Sequence, residues 1–205
     1  MSFTMTSIDL GMCEGRVYDQ GAEAWGVILP GAMLLPDAPL LWFAREAALA
    51  AGRNVLAVWD TFDRNTDPLQ WVEERTRAAL DRIGTDPRTP PVIIAKSLTS
   101  LASGLAADRQ LPAVWITPML RADPRAAGVI AGLLAATAPC LLVGGTADEL
   151  WDGSLARLIP GGEVFEVSRA DHLLEIEGDP LASINVLRSV TAAVADFLHG
   201  LVFRP

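Results

Sequence analysis

The chain has 205 residues, 51% of them apolar, and a formal charge of −9, which is enough material for one domain over 1–205 with a substantial core. Lys and Arg form no cluster or stripe, so the electrostatic footprint that a nucleic-acid backbone needs is missing and no nucleic-acid partner is expected. Two cysteines, Cys13 and Cys140, make no disulfide framework, and no CxxC or His/Cys cluster marks a metal site, so neither a metal nor another cofactor is expected.

The first residues, MSFTMTSIDLG, lack the basic start and continuous apolar run of a signal peptide, which makes the cytoplasm the expected compartment. Alternating runs at 3–10 and 16–19, with Gly11 and Gly15 nearby for the turn, predict an antiparallel hairpin at a sheet edge. Short runs at 27–29, 55–59, 92–95, 113–116 and 141–143 are rich in Val, Ile and Leu without alternation. Such runs suit strands buried on both faces of a parallel sheet. Residues 164–167 supply a last strand and 181–198 a closing helix.

Helix starts lie between these strands. Pro36-Asp37, Asp67-Pro68, Asp123-Pro124 and Asp179-Pro180 each combine an N-capping acid with a proline suited to a first turn, and 70–83 has one apolar and one charged face. The uncharged stretch 126–147 is long enough for a membrane span, but Pro139 divides it into a helix-length and a strand-length half, so no membrane association is expected. The count comes to about eight strands, seven of them joined by helices in right-handed crossovers. No repeat, linker or low-complexity tract interrupts them.

The most informative stretch runs from Val92 to Ala102. A buried strand ends, Ser97 follows, and an Ala-rich helix begins at once. A serine on such a sharp strand-to-helix turn has its hydroxyl pushed out beside the positive helix N-terminus, where a nucleophile belongs. The residues two before and two after it must be small; here they are Ala95, which fits, and Thr99, which is less comfortable. A serine needs a base, and the chain has only two histidines. His199 sits at the end of the last helix, whereas His172 follows the last strand. An acid must orient that imidazole. Asp148, in the loop after strand 141–143, is the first candidate, with Asp152, Asp171 and Glu175 as rivals.

The order Ser97, Asp148, His172 is that of the α/β-hydrolases. Over nearly its whole length the chain resembles that superfamily, and residues 94–98, 142–148 and 170–175 resemble a group of small bacterial hydrolase-like proteins whose elbow commonly reads Gly-Lys-Ser-Leu-Gly. This chain departs at both glycines, which bears on catalysis more than on fold. The resemblance implies a three-layer α/β fold with about eight mostly parallel strands, helices on both faces and, since only 117–123 separates strand 113–116 from the next helix, no cap domain. It also implies an oxyanion hole made by the Leu98 amide and that of Ala32, with Met33 as fallback; the bland alternative is that Pro30-Gly31 merely ends a strand.

The expected activity is hydrolysis of a small-molecule carboxylic ester, thioester or lactone in an open, shallow site, with loops 30–39, 62–67 and 117–121 as its only cover. A lyase, cyclase or isomerase on the same polar groups, or a silent binding protein, are the rival readings. Lys96, the chain's only lysine, is expected to turn into neighbouring structure rather than bind an acidic substrate or tune local charge. Of six tryptophans most belong in the core, and Trp151 is the one expected to wall a pocket. Oligomeric state is not legible in the sequence.

Overall fold

The structure is a computed structural model that describes residues 3–84 and 86–201. The hairpin strands β1 (Thr4–Asp9) and β2 (Glu14–Asp19) turn at Gly11, whose φ of 85° requires a residue without a Cβ. They are followed by β3 (Trp25–Leu29), helix α1 (Pro39–Ala50), β4 (Asn54–Trp59), α2 (Pro68–Ile83) and β5 (Val92–Lys96). A 3-10 segment, Ser97–Ala102, runs into α3 (Ser103–Asp108); then come β6 (Ala113–Ile116), α4 (Ala126–Ala135), β7 (Cys140–Gly145), α5 (Gly153–Ala156), β8 (Gly162–Val167) and α6 (Pro180–Gly200).

The strands form one eight-stranded sheet in the order β1-β2-β4-β3-β5-β6-β7-β8. Strand β2 is antiparallel to both its neighbours, and β3 to β8 are parallel. Six strands, not seven, are therefore joined through helices, because β1, β2 and β3 connect by short turns. The chain leaves β3 toward β4 on one side and later pairs β5 on the other. Strand order reverses between β3 and β5, and the crevice at their carboxyl ends is where open α/β sheets hold ligands. Residues 117–125 connect β6 to α4 with no inserted domain.

The period of two along each parallel strand divides its side chains between two cores. Val27, Leu56, Ile93, Trp115 and Leu142 face α2, α3 and α4, while Ile28, Val55, Ile94, Val114 and Val143 face α1 and α6. Both faces of β3 to β7 are covered, which is why those strands carry no polar alternation. The long helix α6 is apolar enough, by length and composition, to cross a bilayer; here Val186, Val190, Val194 and Phe197 are buried against the sheet and α1.

Two of the four capping predictions hold. Asp67 accepts from the Gln70 amide and Asp179 from the Ala182 amide. The other two helices start later than expected. Helix α1 begins after Ala38 because the Asp37 carboxylate instead meets Arg45 at 3.2 Å, and α4 begins after Arg125, whose amide and side chain occupy Asp123.

Candidate active site

Ser97 is the first residue beyond β5, and its φ of 56° puts a non-glycine residue in the left-handed region. That strain turns the chain from strand into helix within one residue and leaves the side chain half-exposed at the sheet's carboxyl edge. Thr99, expected to fit poorly, is built into the turn. Its hydroxyl oxygen accepts from the Lys96 amide at 3.1 Å and donates to the Leu29 carbonyl at 3.0 Å, so it ties the turn to the end of β3. A glycine there could do neither.

His172 lies on the loop between β8 and α6. Asp171 shapes this loop from within, since its carboxylate accepts from the amides of Leu173 and Glu175. Across the base of the loop, Ala170 pairs with Ile176, and the Ala147 amide donates to the Ala170 carbonyl. Gly145 is required for that contact, because a Cβ there would stand 2.1 Å from the Ala170 oxygen.

The loop brings His172 Nε2 to 2.8 Å from Ser97 Oγ, and Nδ1 to 2.8 Å from Asp148 Oδ2. Asp148 is 3% exposed, and its other oxygen accepts from the Leu150 amide at 2.9 Å. With the carboxylate as obligate acceptor at Nδ1, the neutral ring carries its proton there and presents a lone pair at Nε2 to the serine hydroxyl. Ser97, His172 and Asp148 are thus brought together from three strand ends.

The rival acids have other partners. Asp152 caps α5 through the Leu155 amide, Asp171 holds its own loop, and Glu175 is exposed. His199 bonds the Ala195 carbonyl one turn earlier on α6. Trp151 is no pocket wall. It is 3% exposed, donates to Glu166 at 2.7 Å, and packs so closely on Gly144 that a Cβ there would lie 2.1 Å from its ring.

The loop after β3 runs beside the serine. A Cβ on Gly31 would lie 3.7 Å from the Ser97 Cβ, which brings the backbone at Gly31 alongside Ser97. Leu98 is the second residue of the 3-10 segment, where an amide has no carbonyl behind it within the helix. Met33 is 73% exposed, with the Arg64 guanidinium 3.9 Å from its sulfur, and the Phe62 amide donates to the Ala32 carbonyl. Among the described residues, no group of three or more His, Cys, Asp or Glu is disposed to hold a metal ion.

Two residues whose contacts with the site sequence reasoning did not foresee lie directly behind it. The Lys96 side chain, 1% exposed, donates to the Thr117 hydroxyl and to the His172 carbonyl, both at 2.9 Å. Burial pushes its pKa down to about 8, against the pull of Asp148 and Asp171. Thr117, at the end of β6, has a φ of 45° despite its branched Cβ, and its amide donates to the Val143 carbonyl at 2.7 Å. Nothing local in the sequence pairs residues so far apart.

No known family model matches the chain, and no curated protein does. Solved structures do. Est1E from Butyrivibrio proteoclasticus shares 14% identity over 95% of this chain and 97% of its own, with a TM-score of 0.71. An alpha-beta serine hydrolase homologue from Coxiella burnetii shares 15% identity over 97% and 98%, also at 0.71. A dienelactone hydrolase from Anabaena variabilis shares 19% identity over 97% of both chains, at 0.72. At these identities the likeness carries the fold and no more.

Proposed function

The chain has the α/β-hydrolase fold, and on that premise we propose that it is a serine hydrolase acting on a carboxylic ester, thioester or lactone. The observation that carries this reading is the continuous relay from Ser97 Oγ to His172 Nε2 and from His172 Nδ1 to Asp148 Oδ2, each link 2.8 Å. Ser97 adds to the substrate carbonyl while His172 takes its proton, and Asp148 orients the ring and stabilises the imidazolium. The amides of Leu98 and Ala32 receive the developing oxyanion. His172 then returns the proton to the leaving oxygen or sulfur, and water, activated by the same imidazole, releases the acyl group from Ser97.

The absence of an inserted domain after β6 favours small acyl groups reached from solvent over a buried chain. The test is turnover of short-chain p-nitrophenyl esters, an acyl thioester and a lactone, beside an anilide, by the wild type and Ser97→Ala. Ester or thioester turnover that falls by about 10³ or more in the variant supports the reading. Equal turnover by both, or none by a folded wild type, sinks it.

A further inference from the structure

Lys96 stands immediately before the nucleophile, yet its side chain points away from solvent into the space between the ends of β5 and β6 and the His172 loop. Removing a cation from water there costs stability, and pairing it with two neutral oxygens, the Thr117 hydroxyl and the His172 carbonyl, does not recover what a carboxylate would. Every other Lys or Arg position in the sequence is arginine. A guanidinium is planar with five donors, whereas an ammonium is compact and can aim separate protons at two acceptors on different elements.

One of those acceptors belongs to the backbone of the base itself. Asp171 and the Ala170 bridge fix the internal shape of the loop. The bonds from the Ala147 amide to the Ala170 carbonyl and from the Arg169 amide to the Thr146 hydroxyl tie the base of the loop to the segment after β7, but none of these contacts reaches β5, from which the serine projects. The Lys96 bond to the His172 carbonyl does, spanning 76 residues of sequence. Thr117 steadies the other side of the ammonium: its backbone is held by the Val143 carbonyl, in a conformation a β-branched residue rarely adopts.

We propose that Lys96 is a positioning residue for the base: by holding the His172 carbonyl and the Thr117 hydroxyl together, it sets the distance between the imidazole and the Ser97 hydroxyl. This role rests on the hydrolytic reading above. It acts on the transition state through His172 and makes no contact with substrate, so its loss lowers kcat and leaves KM in place. A displacement of the order of 1 Å between base and nucleophile is worth about a hundredfold in rate.

The experiment is steady-state ester hydrolysis by the wild type, Lys96→Met, Thr117→Val and the double variant, with thermal unfolding measured on each. The expected result is a loss in kcat of about ten- to a hundredfold for K96M and a smaller loss for T117V, with KM within about twofold in both. The double variant is expected to be no slower than K96M, because both act through one link. A folded K96M with wild-type kcat overturns the role, as do losses that multiply in the double variant or appear in KM. If K96M does not fold, T117V carries the test, and unchanged kcat there overturns the role too. A wild type that turns over no ester fails before any variant is compared; that outcome removes the hydrolytic reading and this role together.

Discussion

Asp148 divides its carboxylate between two tasks: Oδ2 meets His172 Nδ1 at 2.8 Å, and Oδ1 accepts from the Leu150 amide at 2.9 Å. The second bond fixes the rotamer that makes the first possible. An asparagine there can keep the shape but presents a donor or a neutral acceptor to the ring, which disfavours the tautomer with a free Nε2 lone pair. Asp148→Asn is expected to lower kcat by about 10³- to 10⁴-fold. Asp152→Asn, which preserves a helix cap, and Glu175→Gln, on an exposed side chain, are expected to stay within about threefold of the wild type. Steady-state kinetics on the three variants decides whether Asp148 is the orienting acid.

The elbow depends on Thr99 where a glycine is common. Its hydroxyl is buried at 2% exposure and joins the Lys96 amide to the Leu29 carbonyl. Thr99→Val keeps the volume and leaves both backbone groups without their partner. Urea unfolding should show a loss of about 1–3 kcal/mol. An unchanged midpoint would mean that the turn holds itself by other means.

Lys96 gives stability an unusual alkaline dependence. Its pKa is pushed down to about 8 in the folded protein from an ordinary 10.5. Above about pH 8 the folded state sheds a proton that the unfolded state keeps, so the unfolded state binds more protons and stability rises with pH. Cys13 and Cys140 act in the opposite sense from about pH 9, because burial raises both thiols from 9.0 to about 11. The lysine effect is therefore cleanest between pH 8 and 9. Over that unit the stability of the wild type relative to Lys96→Met is expected to rise by about 1 kcal/mol, measured by urea unfolding at each pH. A flat difference would contradict the buried cation.

Helix α4 contains two glycines one turn apart with opposite surroundings. A Cβ on Gly132 would lie 2.4 Å from the Gly104 amide and the Ser103 hydroxyl, whereas one on Gly128 would meet nothing within 4 Å. Gly132→Ala must separate α4 from α3, with an expected loss of about 1–3 kcal/mol. Gly128→Ala is expected to gain about 0.5–1 kcal/mol from the lower entropy of alanine in a helix. Comparing the two midpoints under one denaturant series checks the close approach of the helices.

What the sequence disclosed followed from local physics. Strands buried on both faces announce themselves as apolar runs, and Ser97 and Asp148 each follow such a run, while His172 follows the last strand, so their meeting at one sheet edge was legible before any coordinates. What it withheld depended on partners distant along the chain. Asp37 looked like a helix cap until Arg45 claimed its carboxylate. Thr99 looked like a misfit because its carbonyl partner is on β3, 70 residues earlier. Trp151 looked like a pocket wall because nothing nearby reveals that Gly144 is bare in order to receive its ring. Lys96 was expected to turn inward, but its bond to the His172 carbonyl could not be read from its neighbours.

The most direct test of the central claim is reaction of the folded protein with a fluorophosphonate, followed by peptide mapping of the adduct. An activated serine is expected to take up one equivalent, with the phosphonate on Ser97 and none on Ser97→Ala. No adduct on the folded wild type, or an adduct mapped to any other residue, would contradict the account.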